Sequence, residues 1–213
     1  MLALDHIVFA GSDVHDLSAE YGHMALKSIK GGEHDEWGTH NFLAYFSNNC
    51  YIEWLAVNDA TVARSSDNPL IQHLVHVLDN QKQGPFQIAL RTTKLDEFVK
   101  HFEENEIPYI GPVNGQRLKP DGSILQWRML FPTYNYEEET LPFLIEWGES
   151  EAKRFDISLV NSQAITEINL GSLSKERFQE IYQIRSRVKA RPVRLKNTQV
   201  TFSGDGKLSM SVV

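Results

Sequence analysis

Four side chains in this 213-residue chain have the types and surroundings for acid–base or metal chemistry: His6, Glu53, Gln87 and Glu146. Glu53 lies in CYIEWLAV and Glu146 in LPFLIEWG, so the word Ile-Glu-Trp occurs twice inside an apolar run. A carboxylate in such a run is costly unless it is paired, hydrogen-bonded or bound to a metal. His6 in LDHIVFA and Gln87 in PFQIALR each place a polar group at the start of an aliphatic run. One imidazole, one amide oxygen and two carboxylates form a donor set for a divalent cation, and zinc, nickel, cobalt, manganese and iron all suit it. A purely structural reading stands beside it. His6 and Glu53 could bond to each other, Gln87 to neighbouring backbone, and Glu146 could sit at a wet rim.

Strands must position these groups. LDHIVFAG reads as a strand, SDVHDLSAEYGHMAL as a helix, GGEHDEWGTHN as a turn-rich connection, and NFLAYFS and CYIEWLAV as a hairpin turned at SNN. NPLIQHLVHVLD opens with a capping Asn and a proline at the first helical position, so it reads as a linking helix. The order then restarts: PFQIALRT a strand, KLDEFVKHFEENEI a helix, IPYIGPVNGQRLKPDGS strand and turn, and ILQWRMLFP and LPFLIEWG the closing strands. From about Ala164 a shorter round follows, with ITEINLGS, KERFQEIYQI, VRLKNTQVTF and KLSMSVV. The expected organisation is a first module over residues 1–66, a linking helix over 67–84, a second module over 85–150 and a partial third over 164–213. Alternation along a strand then turns Glu53 and Glu146 toward a shared cavity and Trp54 and Trp147 outward.

Bulk properties narrow the partners. A net charge of −7 argues against wholesale attraction to nucleic acid or an anionic membrane. The basic stretch Arg185, Arg187, Lys189, Arg191, Arg194 and Lys196 reads as a solvated face. The single cysteine, Cys50, allows no internal disulfide. MLALDHIVFAGSD has no basic leader and no run is long enough to span a bilayer, so a cytoplasmic protein is the expectation. No G-x-G-x-x-G, G-K-[ST] or G-x-S-x-G arrangement points to a nucleotide fold or a serine hydrolase.

LDHIVFA, EHDEWGTHNFLAYFSNNCYIEWLAV and DGSILQWRMLFP followed by LPFLIEWG, in that order, resemble the glyoxalase-like members of the vicinal oxygen chelate superfamily. The resemblance covers roughly residues 2–150, and the tail by element order only. It implies an α+β fold of paired βαβββ modules, as in glyoxalase, bleomycin-resistance and dihydroxybiphenyl-dioxygenase proteins, with an additional partial C-terminal module. It implies a divalent metal held by His6, Glu53, Gln87 and Glu146, although Gln87 departs from the histidine common at its position. Glu53 or Glu146 would be the base of a metal-dependent lyase or isomerase acting on a small carbonyl or enediolate substrate. Trp37, His40, Arg91 and Arg128 are the candidate substrate contacts. The other outcome the superfamily implies is a metal-free protein that binds an apolar or aromatic ligand. Dimerisation is common there, so a homodimer is a further expectation.

Overall fold

The computed structural model describes residues 1–14, 26–118, 124–148, 157–184 and 192–213. The helix expected after Ser12 falls largely outside the described residues, as do Arg185, Arg187, Lys189 and Arg191 of the basic stretch. The first module contributes β1 (Ala3–Ala10), β2 (Ile29–His34), β3 (Thr39–Phe46) and β4 (Cys50–Val57). A link of α1 (Ala60–Ser65) and α2 (Pro69–Asp79) leads to β5 (Gly84–Arg91), α3 (Leu95–Glu104), β6 (Tyr109–Leu118), β7 (Ile124–Pro132) and β8 (Phe143–Trp147). The strand β2 replaces part of the connection expected over GGEHDEWGTHN. Its backbone pairs with β3 from Ile29↔Leu43 to His34↔Thr39, which satisfies peptide groups that a loop would have left to solvent.

All eight strands join one sheet in the order β2-β3-β4-β1-β5-β8-β7-β6. Within each module the first and last strands are parallel, β1 with β4 and β5 with β8. The two first strands meet antiparallel in the middle, with Ile7 opposite Ile88. That pairing relates the modules by a pseudo-twofold about Ile7 and Ile88, so His6 has Gln87 as counterpart and Val8 has Ala89. The fold is therefore a pair of βαβββ-type modules carrying an additional C-terminal module.

Alternation along β1 sends Ile7 and Phe9 to one face and Val8 and Ala10 to the other. The Val8 face packs beneath α2, whose buried side carries Leu70, Ile71, Leu74 and Val77. Asn68 caps that helix by accepting the Leu70 amide at 3.0 Å. The Ile7 face carries the larger core, with Ile52, Trp54, Ile88, Leu90, Leu130 and Leu144. α3 closes it through Leu95, Phe98 and Phe102. Trp54 is outward as expected and fully buried, a site worth about 3 kcal/mol in side-chain burial.

The tail seals the same face. β10 (Ile165–Leu170), α4 (Lys175–Ile181), β11 (Val193–Arg194), β12 (Gln199–Thr201) and β13 (Leu208–Val212) form a second sheet in the order β11-β12-β10-β13. β10 runs parallel to β12 and antiparallel to β13, so β13 stands to β10 as β5 stands to β1. A two-residue strand, β9 (Val160–Asn161), adds to β3 on the way. Asn197 ties the tail to the first strand: its amide donates to the Leu4 and Asn48 carbonyls, and its oxygen accepts the Leu4 amide at 2.8 Å. Among the described residues no helix is long and apolar enough to cross a membrane.

Candidate functional site

The site begins with an irregularity in β1. Its pairing with β5 passes from Leu4↔Leu90 directly to His6↔Ala89, so Asp5 is an inserted residue. A β-bulge of this kind re-aims side chains. Here it lets two consecutive polar residues touch: Asp5 Oδ1 lies 2.8 Å from His6 Nδ1. The other Asp5 oxygen accepts from Arg91 Nη1 at 3.1 Å and from the Trp147 indole at 2.9 Å. Asp5 is completely buried, and Arg91 supplies the countercharge such a group needs. With Nδ1–H donating to Asp5, His6 turns Nε2 toward Glu53 Oε2, 3.5 Å away. Tyr51 stacks on the imidazole with centroids 4.5 Å apart, and Phe143 meets its edge at 5.6 Å.

Glu53 has a second anchor. Its Oε1 accepts from the Asn41 amide, whose own oxygen accepts the Gly32 N–H at 2.9 Å. Gly31 makes this possible, because a Cβ there would lie 2.1 Å from the Asn41 oxygen. The result is a continuous buried chain of Arg91, Asp5, His6, Glu53 and Asn41.

His6, Glu53 and Asn41 of this chain line a cavity of about 80 Å³, room for several water molecules and so for a compact ligand. β1, β3 and β4 line one side, and β7 and β8 the other. A flat sheet would hold β3 and β7 roughly 24 Å apart, five strand spacings, so the shared cavity records how strongly the sheet curls. The walls are aromatic and apolar: Trp37, Tyr45, Tyr51, Trp127 and Trp147, with Leu43, Met129 and Ile145. Trp37 is placed by the β2–β3 turn beside His34, which also faces the cavity.

The four expected metal ligands do not converge. His6 and Glu53 meet. Gln87 instead lines a separate cavity of about 130 Å³, where its amide donates to the Tyr134 hydroxyl at 2.7 Å and its oxygen accepts the Ile88 N–H. Tyr134 in turn contacts His73 Nδ1 at 3.2 Å. Glu146 faces away from the cup. Phe143, Ile145 and Trp147 of β8 point inward, so Leu144 and Glu146 point outward, the reverse of the expected arrangement. The physical reason is register. Val8 pairs with Glu53, but its counterpart Ala89 pairs with Phe143, so the second Ile-Glu-Trp word sits three residues further along its strand. Outside, Glu146 has good partners: the Arg128 guanidinium and, at 3.2 Å, the Leu95 amide that opens α3. That helix has no side-chain cap of its own, so the carboxylate serves its N-terminus.

The expected substrate contacts divide similarly. Trp37 lines the cup. His40 alternates with the inward Asn41 and so lies on the far face, where its Nδ1 is buried without a hydrogen-bond partner. Arg91 reaches the site through Asp5. Arg128 chelates Asp96 with its two terminal nitrogens and pairs with Glu146, and these carboxylates raise its pKa. Sequence reasoning missed Asp5 because strict alternation would turn it away from His6. The adjacent Asp-His pair inside one short strand was the available signal of a bulge.

Residues 4–185 match the family model described as a glyoxalase-like domain. A hypothetical protein from Staphylococcus aureus is similar in structure with a TM-score of 0.75 and 19% identity, over 95% of this chain and 86% of that one. A variant methylmalonyl-CoA epimerase from Streptomyces coelicolor, in complex with 2-nitronate-propionyl-CoA, is similar with a TM-score of 0.50 and 16% identity, over 69% of this chain and 95% of that one. No curated protein matches in sequence. With a family match across most of its length and the paired-module sheet to go with it, the chain belongs to the glyoxalase-like domain family of the vicinal oxygen chelate fold.

Proposed function

We propose that the chain binds a small, mostly apolar carbonyl compound in the cup and moves a proton on it, as an isomerase or lyase, with Glu53 and His6 as the acid–base pair. The observation that carries this reading is the fixed chain Arg91–Asp5–His6–Glu53–Asn41 under a cavity whose walls are mostly aromatic and apolar. Asn41 orients Glu53 while leaving Oε2 toward the cavity side shared with His6 Nε2. Glu53 takes a proton from carbon next to the carbonyl. His6 takes that proton from Glu53 and returns it to the oxygen or the neighbouring carbon of the enediolate, and in between Asp5, itself balanced by Arg91, holds the imidazole ring and steadies its positive charge.

Divalent metals are common in this superfamily. The residues present do not fit a four-ligand centre of the expected kind: Phe143 sits at the pseudo-twofold counterpart of Glu53, and Gln87 is bonded to Tyr134. No step therefore passes through a metal. A binding-only role is the second reading, favoured by the apolar wall of Phe143, Ile145 and Met129 opposite the polar pair.

Solvent-deuterium exchange into a panel of small α-hydroxy ketones and aldehydes, followed by NMR with a chelator present, tests the proposal. The wild-type protein should exchange the carbon-bound proton of at least one compound. Glu53→Gln and His6→Gln should each slow that exchange by about 10²–10⁴-fold. Saturable binding with no exchange would leave the binding role, and exchange that appears only on adding a divalent metal would overturn the metal-free mechanism.

A further inference from the structure

The cup is lopsided in charge. Its described lining includes one carboxylate, Glu53, and no lysine or arginine. Asp5 has its countercharge in Arg91, but the partners of Glu53 are an amide and an imidazole. Glu53 is nonetheless largely buried, with 11% of its side chain exposed. A largely buried carboxylate with no lysine or arginine beside it gains from a cation that a ligand brings in.

The aromatic walls add to that preference. Trp37, Tyr45, Tyr51, Trp127 and Trp147 surround the same space. The indoles of Trp127 and Trp147 tilt against each other with centroids 5.4 Å apart, and Tyr45 and Tyr51 pair edge-on at 5.9 Å. Trp127 is let into its place by Gly115, where a Cβ would lie 2.3 Å from the indole nitrogen. Aromatic faces carry negative quadrupole density, so several rings around a carboxylate attract an organic cation and repel an anion. Arg91 and Arg128, the two arginines expected at a substrate, are not part of the lining and both have carboxylate partners.

From the single carboxylate and the five aromatic walls we infer that the cup takes a compact organic cation, a primary or quaternary ammonium bearing an aromatic or branched alkyl body, in preference to a carboxylate or phosphate ester. This rests on the cup being the ligand site of the proposed function, and it does not depend on proton transfer.

Three probes share one ring and differ in charge: phenethylammonium, 2-phenylethanol and phenylacetate. Binding to the full chain is read by quenching of tryptophan fluorescence and by ligand NMR. The ammonium should bind at least about tenfold more tightly than the alcohol, and phenylacetate should bind most weakly. Glu53→Gln should reduce the ammonium-to-alcohol ratio to near one while the alcohol still binds, which also shows that the variant is folded. Trp127→Leu should weaken the ammonium more than the alcohol. Equal affinity for all three probes, tighter phenylacetate, or a preference that survives Glu53→Gln would overturn the inference while leaving the exchange result untouched. Binding by none of the three would count against this cup as a ligand site and so against both proposals.

Discussion

Val8 faces Glu53 across the first module, whereas Ala89, its counterpart across the pseudo-twofold, faces Phe143 across the second. The same difference recurs one step away. His6 is held by a carboxylate on either side, while its counterpart Gln87 donates to a tyrosine. One fold thus presents two equivalent strand pairs with different chemistry: a histidine and a glutamate that meet on β1 and β4, and a glutamine and a phenylalanine at the matching positions of β5 and β8. The lesson is that a duplicated fold does not duplicate its site. A three-residue offset in β8 was enough to move a carboxylate from the cup to the outer face.

The most severe way to break this asymmetry is to restore the missing carboxylate. Phe143→Glu places an acid at the counterpart of Glu53, beside the imidazole it now meets edge-on. It removes a side chain that is only 1% exposed and buries a second negative charge in its place. With a chelator present the variant should lose about 5 kcal/mol of stability, read by chemical denaturation. Zinc should return part of that loss, since His6, Glu53 and the new acid supply three donors. Full stability in chelator would mean that the inward wall is less tightly packed than its burial implies.

A second contrast concerns His6 and His73, the two buried histidines among the described residues. His6 is surrounded by Asp5 and Glu53, whereas His73 stacks on Tyr136 at 4.3 Å and meets the Tyr134 hydroxyl. Burial, with a smaller contribution from nearby His76, pushes the His73 pKa down from 6.5 to about 3. Between those values the unfolded chain binds a proton that the folded chain refuses. Stability from this group is therefore complete above pH 6.5 and is lost as pH falls toward 3, at about 1.4 kcal/mol per pH unit. At pH 5 the expected loss is about 2 kcal/mol. Comparing unfolding free energies of the wild type and His73→Phe from pH 7 to 4.5 checks this. The variant's profile should be flatter by up to one proton, and parallel profiles would show that His73 is not excluded from protonation.

Much of this architecture was legible from residue patterns. The strands of the two modules, the Asn68-Pro69 cap and the SNN turn all depend on local chemistry. The pairing of His6 with Glu53 was legible because parallel first and last strands bring such positions together. What resisted reading depended on register. The bulge at Asp5 and the offset of β8 change which face a residue occupies without changing its sequence pattern, and both are fixed by pairing with distant strands. β2 was hidden for a related reason: Gly31 and Gly32 look like turn residues, but Gly31 is there to admit the Asn41 side chain.

The mildest test compares the two glutamates of the repeated word directly. Glu146→Gln keeps an oxygen for the Leu95 amide and loses only the charge that faces Arg128. Arg128 is 37% exposed at the side chain and keeps Asp96 as a partner, so solvent screening limits the cost to about 1 kcal/mol or less. Adding salt should shrink that difference further, because the pair lies near the surface. Deuterium exchange and the ammonium preference should both stay at wild-type levels. Glu53→Gln should abolish the preference and suppress exchange although it makes the same chemical change in the same Ile-Glu-Trp word. If the two variants behaved alike in the cup, the outward register of β8 would have no functional meaning, and the division of labour between the modules would fall with it.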